Sequence, residues 1–338
     1  MNIKVDEPKY IVVVGASAGG LNSVVELCLQ LTKEVDAAVF VVLHLSQVSL
    51  GDVLVQRLQR QTSYTCKLAV QDEPIRKHYL YMAVPDQHLI VQNGRVRLGQ
   101  GPPENRWRPS IDVLFRSAAA AYNSRVIGII MTGMLQDGTA GMLAVKRCGG
   151  TCIVQDPNEA EYPDMPLSVL NSMEVDYCIS LADMGAVLLE KTRNGVQPRH
   201  QVPADVAAEA AIAERVALGM DTIKDLGEKS GFVCPDCGGG LWEIKEGNIT
   251  RYRCYTGHAY TQAELLLKQN EALEETLWVA LRMMEERKSL LEKMSAEEHS
   301  KGWSKTAAQK SSRAVSLELH IDRLKQLLFD TKGMEETG

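Results

Sequence analysis

Ser17 stands in Gly15-Ala16-Ser17-Ala18-Gly19, directly after the β-branched run Ile11–Val14. A G-x-S-x-G pattern lets small neighbours form a sharp strand-to-helix turn that exposes the serine hydroxyl as a nucleophile. Glycines after a first strand can instead cradle the pyrophosphate of a dinucleotide. In that reading Asp36 would be the ribose ligand and the chain a nucleotide-dependent oxidoreductase. Gly15, Gly19 and Gly20 do not form G-x-G-x-x-G, however, and no Tyr-x-x-x-Lys pair is present. A serine nucleophile needs an imidazole to take its proton and a carboxylate to hold the correct tautomer. Of the seven histidines, His44 ends the apolar run Val39–Leu43, while Asp137 follows a third run, Val126–Met131, in a glycine-flanked loop before a helical stretch. In a parallel sheet the carboxyl ends of the strands share one edge, where ligands bind. A histidine at a strand end is often only a hydrogen-bonded residue, and an aspartate before glycine often only a turn former or cap. It is the joint placement of Ser17, His44 and Asp137 that points to hydrolysis.

A second constellation lies further on. Cys234-Pro-Asp-Cys237 is followed by Cys254 and His258 in the pattern C-x2-C-x16-C-x3-H. Two ligand pairs separated by a hairpin-length stretch are how a zinc ribbon gathers four tetrahedral ligands. The set leaves no open position, so a structural zinc is expected, with no cofactor for catalysis. A redox dithiol at Cys234 and Cys237 is the alternative, and it leaves Cys254 and His258 unexplained. Cys28, Cys66, Cys148, Cys152 and Cys178 are scattered through apolar runs and read as buried thiols.

The elements that must position these residues follow an alternating rhythm. Strand-like IVVV, AAVFVVL, VIGIIM, TCIVQ and VDYCIS alternate with amphipathic stretches Leu21–Leu31, Leu50–Leu58, Ala140–Cys148, Met165–Met173 and Leu181–Glu190. This predicts an α/β fold, a doubly wound and mostly parallel sheet with helices on both faces. Residues 66–100 read as short antiparallel strands, with Asn93–Arg95 as a hairpin turn, and Ser110 as N-cap of a helix to Tyr122. The organisation expected is a catalytic domain over 1–195, a linker and Ala-rich helix over 196–230, the ribbon over 231–260 with GGGLWEI and TRYRC as its strands, and a helical hairpin over 261–338. In the hairpin, Leu273, Leu277, Ala280, Met284, Leu291 and Met294 form one stripe and Leu317, Ile321, Leu324 and Leu328 another, a surface for packing or self-association. The net charge of -6 over 338 residues argues against nucleic acid as partner. The absence of a signal-peptide pattern or a long apolar run predicts a cytoplasmic protein without membrane insertion.

Six blocks, VVVGASAGGLNSV, VVLHLS, YLYMAVPDQHLIV, RPSIDVLFRSAA, IIMTGMLQDGTAGM and IVQDPNEAEYPDMP, resemble in the same order those of the chemotaxis protein-glutamate methylesterase catalytic domain. The resemblance runs from about residue 10 to 190. It implies a Ser17, His44, Asp137 triad that hydrolyses glutamate γ-methyl esters on a methylated chemoreceptor-like protein, with glutamine deamidation as a side activity. It also implies backbone oxyanion donors in the glycine-rich turn, at Ala18, and at Met134. His88, the rival base, falls in a block where the family also carries histidine and reads as site-lining or structural. Arg108 and Asp112 read as a salt-bridged helix start. Family members often have glycine where this chain has Leu135, and proline soon after the histidine where it has HLSQVS. With the first strand near Tyr10, no receiver domain is expected ahead of it, hence no activation by aspartyl phosphorylation in cis. The competing reading is a scaffold that keeps the sheet without turnover.

Overall fold

The computed structural model describes residues 7–44, 51–92, 94–193, 200–214 and 226–335. In chain order the first part comprises β1 (Tyr10–Ala16), α1 (Gly20–Gln30), β2 (Ala37–Leu43), α2 (Gly51–Gln59), β3 (Thr65–Leu68) and β4 (Tyr79–Met82). There follow β5 (His88–Gln92), β6 (Arg95–Gly99), α3 (Ile111–Tyr122), β7 (Val126–Ile130), α4 (Thr139–Arg147), β8 (Thr151–Gln155), α5 (Asp164–Ser172), β9 (Tyr177–Ile179) and α6 (Met184–Arg193). Seven strands form one parallel sheet in the order β3-β4-β2-β1-β7-β8-β9. The winding reverses at β1, so the carboxyl ends of β1, β2 and β7 flank the crevice where open α/β sheets take their ligands.

β1 and β2 read as unbroken β-branched runs because both faces are covered. Ile11 and Val13 pack with Leu114, Phe115, Met142 and Val145 on one side. Val12 and Val14 pack with Val24, Leu27, Leu58 and Leu188 on the other. Each side chain fully removed from water contributes about 1.5–3 kcal/mol.

The expectation of antiparallel strands across residues 66–100 holds only for β5 and β6. β3 and β4 pair in parallel and extend the main sheet, because β4 returns along β2. The proposed turn at Asn93–Arg95 is flanked by the Gln92–Arg95 pair, and Asn93 itself lies outside the described residues. Of the reputedly buried thiols, Cys178 is exposed; burial pushes the Cys28 thiol up to about 12 and leaves it inert.

The Ala-rich helix appears as α7 (Ala204–Glu214); residues 215–225 lie outside the described set. It leads to a four-stranded antiparallel sheet of β10 (Glu228–Val233), β11 (Gly240–Glu246), β12 (Ile249–Cys254) and β13 (Ala259–Thr261). A buried ionic cluster joins this sheet to α3. Glu104 meets Arg116 at 3.2 Å and Arg253 at 2.8 Å, and Glu209 of α7 meets Arg116 at 3.1 Å and Arg251 at 2.9 Å. Breaking such a pair leaves an uncompensated buried charge and costs about 3–5 kcal/mol.

α8 (Gln262–Ser300) and α9 (Ser304–Glu335) supply a second compact unit from Leu265 onward. Its core is Leu281, Ile321 and Leu328, with Leu277, Met284 and Leu324 against them. Leu273 and Met294 of the expected stripe are exposed, at 53% and 39%, and Leu281 takes the inward position beside Ala280. Among the described residues no helix is long and apolar enough to cross a membrane.

Candidate active site

Ser17 follows β1 directly and His44 follows β2. The parallel register ends at Ala16 and Leu43, so Ser17 and His44 are the next pair along, and the His44 N–H donates to Ala16 O at 3.1 Å. Ser17 is fixed from the other side by its N–H donating to Thr132 O at 3.0 Å, just beyond β7. Thr132 is tied in turn, its N–H donating to Gln155 Oε1 and its hydroxyl to Ala18 O. Gly133 has no room for a side chain: a Cβ there would come within 2.1 Å of Met165 Sδ and 2.8 Å of Ser17 Cβ. The loop can therefore lie flat against the serine.

His44 Nε2 lies 3.2 Å from Asp137 Oδ2. The ring is covered by Trp107, stacked at 4.0 Å between centroids and 9° between planes. The approach to Asp137 falls short of hydrogen-bond alignment, and among the described residues neither buried ring nitrogen of His44 has a hydrogen-bond partner. Such pairs are often poorly aligned until substrate binds. With Nε2 facing the carboxylate, Nδ1 is the other ring nitrogen, buried and without a partner among the described residues.

Asp137 is buried and densely solvated by protein. Oδ2 accepts the Ile111 N–H at 2.6 Å; Oδ1 accepts the Ser110 hydroxyl at 2.9 Å and the Asp112 N–H and Asn105 amide at 3.2 Å. It thus caps α3 from another segment, so the Ser110 hydroxyl donates to it and does not cap its own helix. Asp112 returns the favour to α4, accepting the Gly138 and Gly141 N–H groups at 3.0 and 2.6 Å. Burial, then the charge of Asp137, pushes the Asp112 carboxyl up. Burial would raise Asp137 as well, but the His44 ring, the Ile111 N–H and the Asn105 amide outweigh it and hold that carboxyl below the ordinary range. The two adjacent carboxylates are thereby driven apart, with Asp137 the more acidic of the pair.

His88 is excluded from proton transfer. Its Nδ1 accepts the Ser110 N–H at 3.2 Å and its Nε2 bonds Pro102 O at 2.9 Å, which requires the proton on Nε2. Burial depresses its pKa further. It supports the start of α3 from behind. Arg108 pairs with Asp86 at 2.6 Å, so the expected salt-bridged helix start with Asp112 does not form. Asp36 precedes β2, at the edge opposite Ser17, and accepts the Lys9 N–H at 3.0 Å, which removes the ribose-ligand reading. Ala18 lies in the turn into α1, where the first amides have no helical carbonyl partner. Met134 follows Gly133 with its side chain half exposed. Leu135, at the position often glycine in the family, adopts φ 67°, a conformation that favours glycine. Beside His44 opens a cleft of about 510 Å³ lined by Leu43, Leu54, Met82, Trp107 and Arg108 among others.

In the antiparallel sheet, the four donor atoms of Cys234, Cys237, Cys254 and His258 lie within 4.8 Å of one another. Cys237 and Cys254 Sγ are 3.7 Å apart, and Cys254 Sγ is 3.4 Å from His258 Nδ1. Tetrahedral zinc with sulfur at about 2.3 Å places two thiolates about 3.8 Å apart. The set could hold such a metal.

The family model for CheB methylesterase matches residues 12–188. The chain belongs to the CheB methylesterase family. A relative from Leptospira interrogans is 32% identical over 189 residues, covering 56% of this chain and 97% of its own. The protein-glutamate methylesterase/protein-glutamine glutaminase of Symbiobacterium thermophilum is 32% identical over 164 residues, 48% of this chain and 45% of that one. The crystal structure of the Thermotoga maritima CheB methylesterase catalytic domain superposes with a TM-score of 0.52 at 34% identity, over 54% of this chain and 98% of that one. The parallel sheet is therefore the CheB catalytic fold, in a family of carboxylic ester hydrolases, and α7, the antiparallel sheet and the helical hairpin lie beyond the matched region.

Asn105 and Trp107 have no place in a reading of the sequence alone. Both sit in GPPENRW, a polar stretch between β6 and α3 whose only outward signal is a tryptophan in a loop.

Proposed function

We propose that the chain hydrolyses glutamate γ-methyl esters on a methylated chemoreceptor-like protein in the cytoplasm, with Ser17 as nucleophile. The observation that supports this is the 3.2 Å approach of His44 to a buried Asp137, with Ser17 beside His44 on the same strand-end edge of a CheB-family sheet. Ser17 Oγ attacks the ester carbonyl as its proton passes to His44 Nδ1, and Asp137 stabilises the imidazolium. The tetrahedral intermediate collapses by expelling methoxide, which takes the proton from His44 and leaves as methanol. Water then attacks the acyl-serine, again losing its proton to His44, and returns glutamate and free Ser17. The amides of Ala18 and Met134 are the oxyanion donors in this scheme. The same steps on a glutamine amide release ammonia, the glutaminase activity for which relatives are named.

A serine-directed phosphonate is expected to label one site per chain, on the peptide carrying Ser17, in a protein that releases methanol from methylated receptor. Label on another serine would move the nucleophile elsewhere, and neither label nor methanol would leave the scaffold reading.

Cys234, Cys237, Cys254 and His258 are the proposed ligands of a structural zinc, which would tie the turns flanking β11 and β12 together. Elemental analysis is expected to find about one zinc per chain, and Cys254→Ser to lose it. A full complement of zinc in that variant would show that the metal is held elsewhere.

A further inference from the structure

The turn at Glu104–Trp107 touches the candidate chemistry and the metal-binding knuckle at once. On one side the Asn105 amide donates to both Asp137 Oδ1 and Asp112 Oδ2, at 3.2 and 2.8 Å, and Trp107 stacks on His44. On the other, the Asn105 N–H donates to Ala259 O at 2.8 Å, one residue past His258. Arg253, next to Cys254, grips the knuckle and the turn together: its guanidinium donates to Gly257 O at 3.2 Å and meets Glu104 at 2.8 Å. Asn105 and Arg106 are both left-handed, at φ 49° and 70°; the turn closes on itself through Glu104–Trp107 backbone hydrogen bonds of 3.2 and 2.9 Å, and the contacts to Ala259 and Arg253 fix where it sits.

We propose that the Cys234/Cys237/Cys254/His258 knuckle, closed on its metal, positions the His44–Asp137 pair through the Glu104–Trp107 turn, so that turnover depends on a metal that takes no part in the chemistry. Asn105 is then a positioning residue. Ordering of residues 253–259 fixes the carbonyl that receives the Asn105 N–H and the guanidinium that anchors Glu104. With that backing lost, the turn is free to shift as a unit, Asp137 loses one charge-assisted bond, and His44 loses its aromatic cover. Trp107 also lines the cleft beside His44, so releasing the whole turn acts on KM as well as kcat, whereas loss of the Asn105 amide alone acts on kcat.

This inference rests on the esterase reading for its kinetic arm only. The 338-residue chain is compared with its metal in place, after a chelator has removed it, and after zinc is restored. Hydrogen exchange of the 104–107 peptide is expected to rise on removal and return on restoration. Over the same steps kcat is expected to fall about tenfold or more and to recover with the metal. Asn105→Gly keeps the left-handed backbone and deletes only the amide; with zinc still bound, it is expected to lower kcat about tenfold at unchanged KM, the scale of one hydrogen bond to a charged group. A metal-free protein with wild-type kcat and unchanged exchange overturns the proposal, as does an Asn105→Gly enzyme of wild-type kcat. Should the metal-loaded protein be inert toward both ester and phosphonate, the esterase reading falls, while the exchange experiment still decides whether the knuckle holds the turn.

Discussion

Ser17→Ala is expected to lower kcat by on the order of 10⁵-fold or more, with the fold intact. The structural grounds for an intact fold are specific. Both hydrogen bonds that hold position 17, from its N–H to Thr132 O and from the Gly20 N–H to its carbonyl, belong to the backbone and survive loss of the hydroxyl. The Cβ packed against Gly133 is kept as well. The variant therefore removes a nucleophile and little else, and its melting temperature should match the parent within a degree or two. Groups that act as a unit give non-additive losses, since once one is gone the others have nothing to assist. His44→Ala should cost about as much, and the double variant no more than Ser17→Ala alone. Methanol release from methylated receptor measures all three. Multiplying losses in the double variant would show that Ser17 and His44 act independently, and an active Ser17→Ala would move the nucleophile elsewhere.

Why these two residues can be found in the sequence, while Asn105 cannot, has a physical basis. β1 and β2 are covered on both faces, so they must be continuous apolar runs, and their ends are visible as the points where the runs stop. Ser17 and His44 are the first residues past those ends, and parallel pairing places such residues on one edge whatever the loops do. Asp137 is legible for a similar reason, lying between β7 and α4 in a loop whose glycines mark a tight passage. Its proton-bond partners are another matter. The Ile111 and Asp112 amides reach Asp137 only because α3 is laid across the sheet with its first turn at the crevice. Nothing local in RPSID distinguishes a helix capped by its own Ser110 from one capped in trans.

β3 and β4 were misleading for the opposite reason. Four-residue strands carry too little pattern to reveal direction, and which neighbour they pair with is decided by β2. The Glu104–Trp107 turn is further still from local control. Its placement is tied to Ala259 and Arg253, residues beyond the region that the CheB family model covers. The candidate site is thus legible in strand ends, while the contacts behind it come from a part of the chain that the motif blocks never reach.

Asp137→Asn tests that support and the chemistry together, and a fall in kcat of about 10⁴-fold is expected. An amide has one acceptor oxygen where the carboxylate has two. If its NH2 takes the place of Oδ2, it faces the Ile111 N–H at 2.6 Å and donates to His44 Nε2. The imidazole must then carry its proton on Nδ1, and it cannot accept one from Ser17. If the NH2 takes the place of Oδ1, it meets three donors, from Ser110, Asp112 and Asn105. Either way buried donors are left unpaired, and stability should drop by about 2–4 kcal/mol at neutral pH. The pH dependence of that drop has a fixed sign. Asp137 is held below its ordinary range in the folded chain, so its ionisation contributes stability above the unfolded carboxylate pKa of about 3.9 and loses it as acid protonates the folded group. The gap between parent and variant in urea unfolding should therefore be full near pH 7 and narrow below about pH 4. Asp112, pushed up by burial and then by the charge of Asp137, should fall part of the way back in the variant, because that charge is gone. A stability gap that stays constant from pH 7 to pH 3 would mean that Asp137 is not the ionised member of the pair, and the assignment of His44 Nδ1 as the proton acceptor would fall with it.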